Sequence, residues 1–126
     1  MMNRCNIVLF AISLLFSSSL IAGTIDVTKR GAKGDGVTDN TIIIQKAVDE
    51  CSKKGGGTVL IPSGSYLICP IELKSNVNLH LDFGTLLLGS TRLSDYDNAF
   101  PFKDGSMNQS SGLLFARGQK NISITG

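Results

Sequence analysis

Cysteine and histidine are scarce in this chain, with three of the first and one of the second among 126 residues. A zinc centre asks for about four nitrogen or sulfur ligands, which two isolated cysteines, Cys51 and Cys69, do not supply. Charge of one sign is also scarce: twelve Lys and Arg face ten Asp and Glu, a formal net charge of +2. No basic stripe interleaved with aromatics exists, so nucleic-acid binding has no support. The densest basic cluster, Lys29, Arg30 and Lys33, reads as a solvated loop. A long apolar run is missing too. Ile7 to Phe16 is the most compact one, shorter than the roughly 20 residues a membrane span needs.

That short run has another use. Arg4 gives a positive start, Ile7 to Phe16 an apolar centre and Ser17 to Ser19 a small-residue exit, the pattern of a secretory signal with cleavage after Ala22 or Gly23. Residues 1–22 are therefore expected to be a leader and 23–126 a single domain, secreted or periplasmic and free of the membrane once the leader is gone. Cys5 leaves with the leader, and no cysteine stands near the cut to carry a lipid. In an oxidising compartment Cys51 and Cys69 can pair, or each can stay a small buried thiol.

What is present is an ordered run from Gly31 to Tyr66. Gly31-Ala-Lys-Gly-Asp-Gly is turn-rich, and Asp35 can hydrogen-bond its own backbone. Thr38 or Asp39 then offers an N-cap oxygen, and Ile44, Ala47, Val48 and Cys51 follow at i, i+3, i+4 and i+7, one apolar stripe on a helix of about four turns. Asp39 suits the positive end of the helix dipole, and Lys53 and Lys54 the negative end. Gly55 is placed to close the helix in the left-handed region. Thr58 to Ile61 reads as a strand stopped by Pro62 and turned by Ser63-Gly64.

Short strands are expected at Ile25–Val27, Tyr66–Ile68 and Ile71–Leu73. Val77, Leu79, Leu81 and Phe83 alternate with Asn78, His80 and Asp82, one buried face at period two. Leu86 to Leu88 is apolar again. Gly89 to Ser111 reads as a long surface loop, of a length that often carries function. Leu113–Phe115 and Ile122–Ile124 restore strand character. Ser75-Asn-Val-Asn-Leu79 and Lys120-Asn-Ile-Ser-Ile124 share the order polar, Asn, aliphatic, polar, aliphatic. Stacked turns of a solenoid show such repeats.

Taken together, Gly31-Ala-Lys-Gly-Asp-Gly36, Thr38-Asp39, Ile44-Gln-Lys-Ala47, Gly55-Gly-Gly-Thr-Val59, Pro62-Ser-Gly-Ser-Tyr66, Leu73-Lys-Ser-Asn-Val77 and Leu86-Leu-Leu-Gly-Ser90 resemble the N-terminal part of glycoside hydrolase family 28, the polygalacturonase group of the pectate-lyase-like proteins. The resemblance runs from Thr24 to Gly126. It implies an all-β fold, a right-handed parallel β-helix, with the amphipathic helix as a lid on the first rung. Burying Ile44, Ala47, Val48 and Cys51 there is worth roughly 4–8 kcal/mol as an upper estimate.

The resemblance implies an inverting hydrolase acting on galacturonate-rich pectic polysaccharide, monomeric at full length, with no cofactor. Its Asn-Thr-Asp, Asp-Asp, Gly-His-Gly and Arg-x-Lys motifs are absent from this sequence, so no catalytic residue is assigned and the chain is expected to be a fragment, inactive alone. A uronate substrate needs cations, and Lys74, Arg92 and Arg117 are the candidates, unranked. Asp35 and Asp39 lack the further oxygens calcium requires, and their turn and cap roles account for both. Asp95 and Asp97 read as solvated loop acids, and His80 as an outward, cross-strand residue. A non-catalytic β-helix that binds carbohydrate or builds a surface structure, and a calcium-dependent lyase of the same superfamily, are the alternatives.

Overall fold

A computed structural model of the chain describes residues 23–97 and 112–126; the expected leader and most of the expected long loop lie outside them. Among the described residues nine strands and two helices follow one another: β1 (Gly23–Asp26), a 3-10 turn (Val27–Arg30), β2 (Asp35–Asp39), α1 (Thr41–Lys53), β3 (Gly57–Ile61), β4 (Gly64–Ile68), β5 (Ile71–Glu72), β6 (Val77–Leu81), β7 (Thr85–Gly89), α2 (Ser94–Asp97), β8 (Leu114–Phe115) and β9 (Ser123–Thr125). Every strand pairing is parallel, in three sheets ordered β1-β3-β6-β9, β2-β4-β7 and β5-β8. From β3 onward successive strands fall in successive sheets, and in the first turn α1 follows β2 where a third-sheet strand would stand. The chain therefore winds as a coil whose turns stack strand on strand. This is a parallel β-helix.

Alternation decides what the coil encloses. Val59 and Ile61, Tyr66 and Ile68, Ile71, and Val77 and Leu79 point inward and are buried, and α1 adds Ile44, Ala47, Val48 and Cys51 to the same core. The helix packs on β1, β3, β5 and β6. It ends in a Schellman arrangement. Gly55 N–H donates to the Ser52 carbonyl and Gly56 N–H to that of Cys51 (3.1 and 2.9 Å), with Gly55 at φ 97°.

The repeated Asn motif marks one corner of the coil. Asn78 lies opposite Ser123 and Leu79 opposite Ile124. Just before these strands, Asn76 and Asn121 both take positive φ, 66° and 57°, and Asn121 Nδ2 donates to Asn76 Oδ1 at 3.1 Å. The matching residue one rung earlier is Gly56, where a Cβ would stand 2.4 Å from the Asn76 carbonyl oxygen. Glycine alone fits there.

Four local expectations are corrected. The helix N-cap is Asn40, not Thr38 or Asp39, and its side chain does not cap. It is fully buried and accepts from Lys33 N–H while donating to the carbonyls of Lys33 and Thr38, so it locks the preceding loop instead. Asp39 still serves the helix start from one residue outside: its Oδ1 accepts from the Thr41 N–H at 2.9 Å and from the Thr41 hydroxyl. The turn-rich loop contains a strand, β2, which pairs with β4 through an irregular register. Asp35 makes that irregularity, its Oδ1 accepting from Val37 and Thr38 N–H. Val27 leaves the first strand because Asp26 Oδ1 accepts from Thr28 N–H and opens a 3-10 turn. Phe83 is 96% exposed because β6 stops at Leu81 and Asp82 turns the chain, its carboxylate accepting from Phe83 N–H and its carbonyl from Thr85 N–H. Cys51 and Cys69 are both free thiols, so the disulfide option falls.

Candidate functional site

One corner of the coil differs from the others. Between the second and third sheets, β4 reaches β5 through Cys69 and Pro70, whereas β7 reaches β8 only after the chain has passed through α2 and on to Leu114. Long connections at a fixed corner of a solenoid overhang one face. The β5–β8 sheet follows this corner, and it carries a shallow groove of about 440 Å³ between α1 and the second rung.

The helix side of the groove is built by a polar stripe. Gln45 Oε1 accepts from Glu72 N–H and Gln45 Nε2 donates to the Glu72 carbonyl, both at 2.9 Å, so the amide plugs the open edge of β5 as a neighbouring strand would. Thr41 Oγ1 accepts from Cys69 N–H at 2.8 Å and Ser52 Oγ donates to the Ser75 carbonyl at 2.9 Å. Thr41, Gln45 and Ser52 thus stand in for a missing strand along the same sheet edge. Gln45 Nε2 also donates to Asp49 Oδ1 at 3.0 Å. Sequence reasoning missed this stripe. Its signal was available, since Thr41, Gln45, Asp49 and Ser52 recur at helical spacing beside the apolar stripe.

With its backbone held, Glu72 turns its carboxylate into the groove. Lys74 Nζ lies 3.4 Å from Oε1, and Arg117 Nη2 3.5 Å from Oε2. Glu72 pairs with Phe115, and Leu73 N–H donates to the Phe115 carbonyl at 2.7 Å, so Lys74 and Arg117 occupy matching places on successive rungs. The Arg117 guanidinium lies 5.4 Å over the Phe115 ring.

The three candidate cations are therefore ranked by geometry. Lys74 and Arg117 meet in the groove, whereas Arg92 is spent on Asp95, Nε to Oδ2 at 3.3 Å. Asp95 also accepts from the Ser90 hydroxyl, which is the main reason its carboxyl is held below the usual range. The Asp97 side chain lies outside the described residues. Asp35 is held at about 2, chiefly by the Thr38 hydroxyl and then by backbone N–H groups, as a turn former. His80 Nδ1 meets Thr125 Oγ1 of the neighbouring strand at 2.7 Å. The half-buried Cys69 thiol, 4.0 Å from Asp39, is pushed up by burial. Among the described residues, no three His, Cys, Asp or Glu side chains gather as a metal site would require. No described helix is long and apolar enough to cross a membrane.

Residues 24–86 match the family described as rhamnogalacturonase A/epimerase, pectate lyase-like. The chain belongs to this family. Its polygalacturonase branch is close at hand: an exo-poly-alpha-D-galacturonosidase of Dickeya chrysanthemi is 39% identical over 84 residues, 67% of this chain and 14% of that enzyme. The family 28 exopolygalacturonase of Yersinia enterocolitica superposes on 84% of this chain and 20% of its own, with a TM-score of 0.72 and 34% identity. A lyase is related as well. Alginate lyase 7 of Azotobacter vinelandii is 60% identical over 60 residues, 48% of this chain and 7% of that protein. The chain thus spans a fifth or less of each of these pectate lyase-like relatives.

Proposed function

We propose that this chain forms the cap and first rungs of a secreted glycoside hydrolase that cuts pectic, galacturonate-containing polysaccharide. The observation that carries the reading is the shared rungs: the same coil, at 34% identity over 84% of this chain, occurs in a family 28 exopolygalacturonase, where it makes up 20% of that chain. In this reading the reaction is an inverting hydrolysis. One carboxylic acid protonates the leaving oxygen and a second carboxylate activates water on the opposite face, about 6.5–9.5 Å away. Those two groups belong to rungs outside this chain, where Asp35, Asp39 and Asp95 keep to their local turn, cap and loop partners. The chain alone is then inactive, the protein works as a monomer without a cofactor, and residues 1–22 direct it to the periplasm or beyond.

The test is product chemistry. The protein from the full reading frame, incubated with polygalacturonate, should release reducing ends with no ultraviolet-absorbing unsaturated ends. A second reading, a polyuronate lyase, is favoured by the 60% identity to alginate lyase 7 and predicts the opposite spectrum. Unsaturated products would replace the first reading with the second.

A further inference from the structure

On the β5–β8 face one carboxylate faces two cations. The Glu72 contacts, 3.4 Å to Lys74 and 3.5 Å to Arg117, are long for charge-assisted hydrogen bonds, which close to about 2.7–2.9 Å. Lys74 and Arg117 stand on successive rungs, whose strands stack about 4.8 Å apart, and Glu72 reaches both from one side. Two stacked cations at that spacing suit the two oxygens of a single carboxylate arriving from the groove. Glu72, Lys74 and Arg117 by themselves carry one positive charge in excess. Of the other acids lining the groove, Asp95 is offset by Arg92, whereas Asp49 accepts from the neutral Gln45 amide and keeps its charge. The groove volume of about 440 Å³ admits sugar rings beside the pair.

We infer that Lys74 and Arg117 form a subsite for the carboxylate of a uronic acid unit, with Glu72 as the internal carboxylate that holds the two cations until the ligand replaces it. The inference rests on the polyuronate reading above and adds the residues that recognise the charge. It makes a prediction of opposite signs. Removing the cations weakens binding, and removing the charge of Glu72 strengthens it, because the competitor and its repulsion go together. The backbone of Glu72, which carries the bonds to Gln45, is untouched by that change.

The experiment measures trigalacturonate binding by calorimetry on the protein from the full reading frame, with fully methyl-esterified trigalacturonate as the uncharged control. Lys74→Ala with Arg117→Ala should weaken binding of the charged trimer by about tenfold or more. Glu72→Gln should tighten it severalfold, and Arg92→Ala should leave it unchanged. The esterified trimer should respond to none of them. Should the double variant fold poorly, the Glu72→Gln result decides alone. Equal binding of the two trimers by the wild type, or unchanged binding in Glu72→Gln, overturns the subsite even where the protein hydrolyses polygalacturonate. Charge-dependent binding with the predicted signs but without hydrolysis keeps the subsite and removes the glycosidase reading.

Discussion

Two glutamates of this chain each hold two cations, and they do so differently. On the outer side of α1, Glu50 takes Arg30 through both carboxylate oxygens at 2.7 and 3.0 Å and Lys54 at 2.8 Å. Those contacts, Arg30 first, hold its carboxyl at about 2. On the groove side of the same helix, Glu72 holds Lys74 and Arg117 at 3.4 and 3.5 Å. The first cluster ties the turn after β1 to the helix, its carboxylate held by both cations at 3.0 Å or less. The second spans two rungs and opens on a groove. The helix between them divides its surface accordingly, an apolar stripe into the core and a polar stripe onto the edge of β5. A cap that must finish a sheet without a strand leaves its partner's side chains free to face outward.

The most damaging way to break this contrast is from below. Val48 is fully buried in the stripe that joins the cap to the coil. Val48→Asp buries an unpaired charge at a cost on the order of 4 kcal/mol or more, so soluble yield should collapse. Normal yield with an unchanged melting temperature would remove the capping role. Gln45→Leu is milder and more selective. It keeps the volume but strips partners from the N–H and carbonyl of Glu72, for a loss of about 2 kcal/mol in urea unfolding. An unfolding midpoint equal to wild type would mean that water replaces the amide without penalty.

Acid should act on Glu50 and on the turn former Asp35 at a smaller scale. Glu50 and Asp35 are both held at about 2, below the value each has in an unfolded chain. Each therefore stabilises the fold above about pH 4.5, and that contribution fades as the pH falls toward about 2, where the folded groups protonate. Asp35 is exposed and Glu50 half-exposed, so the effect is modest and shrinks with salt. Melting curves of wild type and of Asp35→Asn with Glu50→Gln should diverge above that window and converge near its lower end. Parallel curves throughout would show that these carboxylates contribute nothing.

The legible part of this fold was local. Period-3.6 spacing of Ile44, Ala47, Val48 and Cys51 and the glycine exit at Gly55 depend on neighbours within a few turns, and the helix is where those signals put it. The Asn motif was readable because stacking repeats a chemical order, and β6 pairs with β9 in that register. Parallel pairing across distant segments was less legible. β2 hid in a glycine-rich loop because its partner, β4, lies beyond the helix. Phe83 continued the alternation on paper while Asp82 turned the chain. In the groove, Lys74, Arg92 and Arg117 looked alike as residues. Only the register that sets Glu72 opposite Phe115 brings two of them together and leaves the third with Asp95.

The contrast between the two glutamates is tested most directly by neutralising each in turn and measuring trigalacturonate affinity in the protein from the full reading frame. Glu72→Gln should bind the trimer severalfold more tightly than wild type, and Glu50→Gln should match wild type. Equal affinities in all three proteins, or a gain in Glu50→Gln as large as that in Glu72→Gln, would contradict the account.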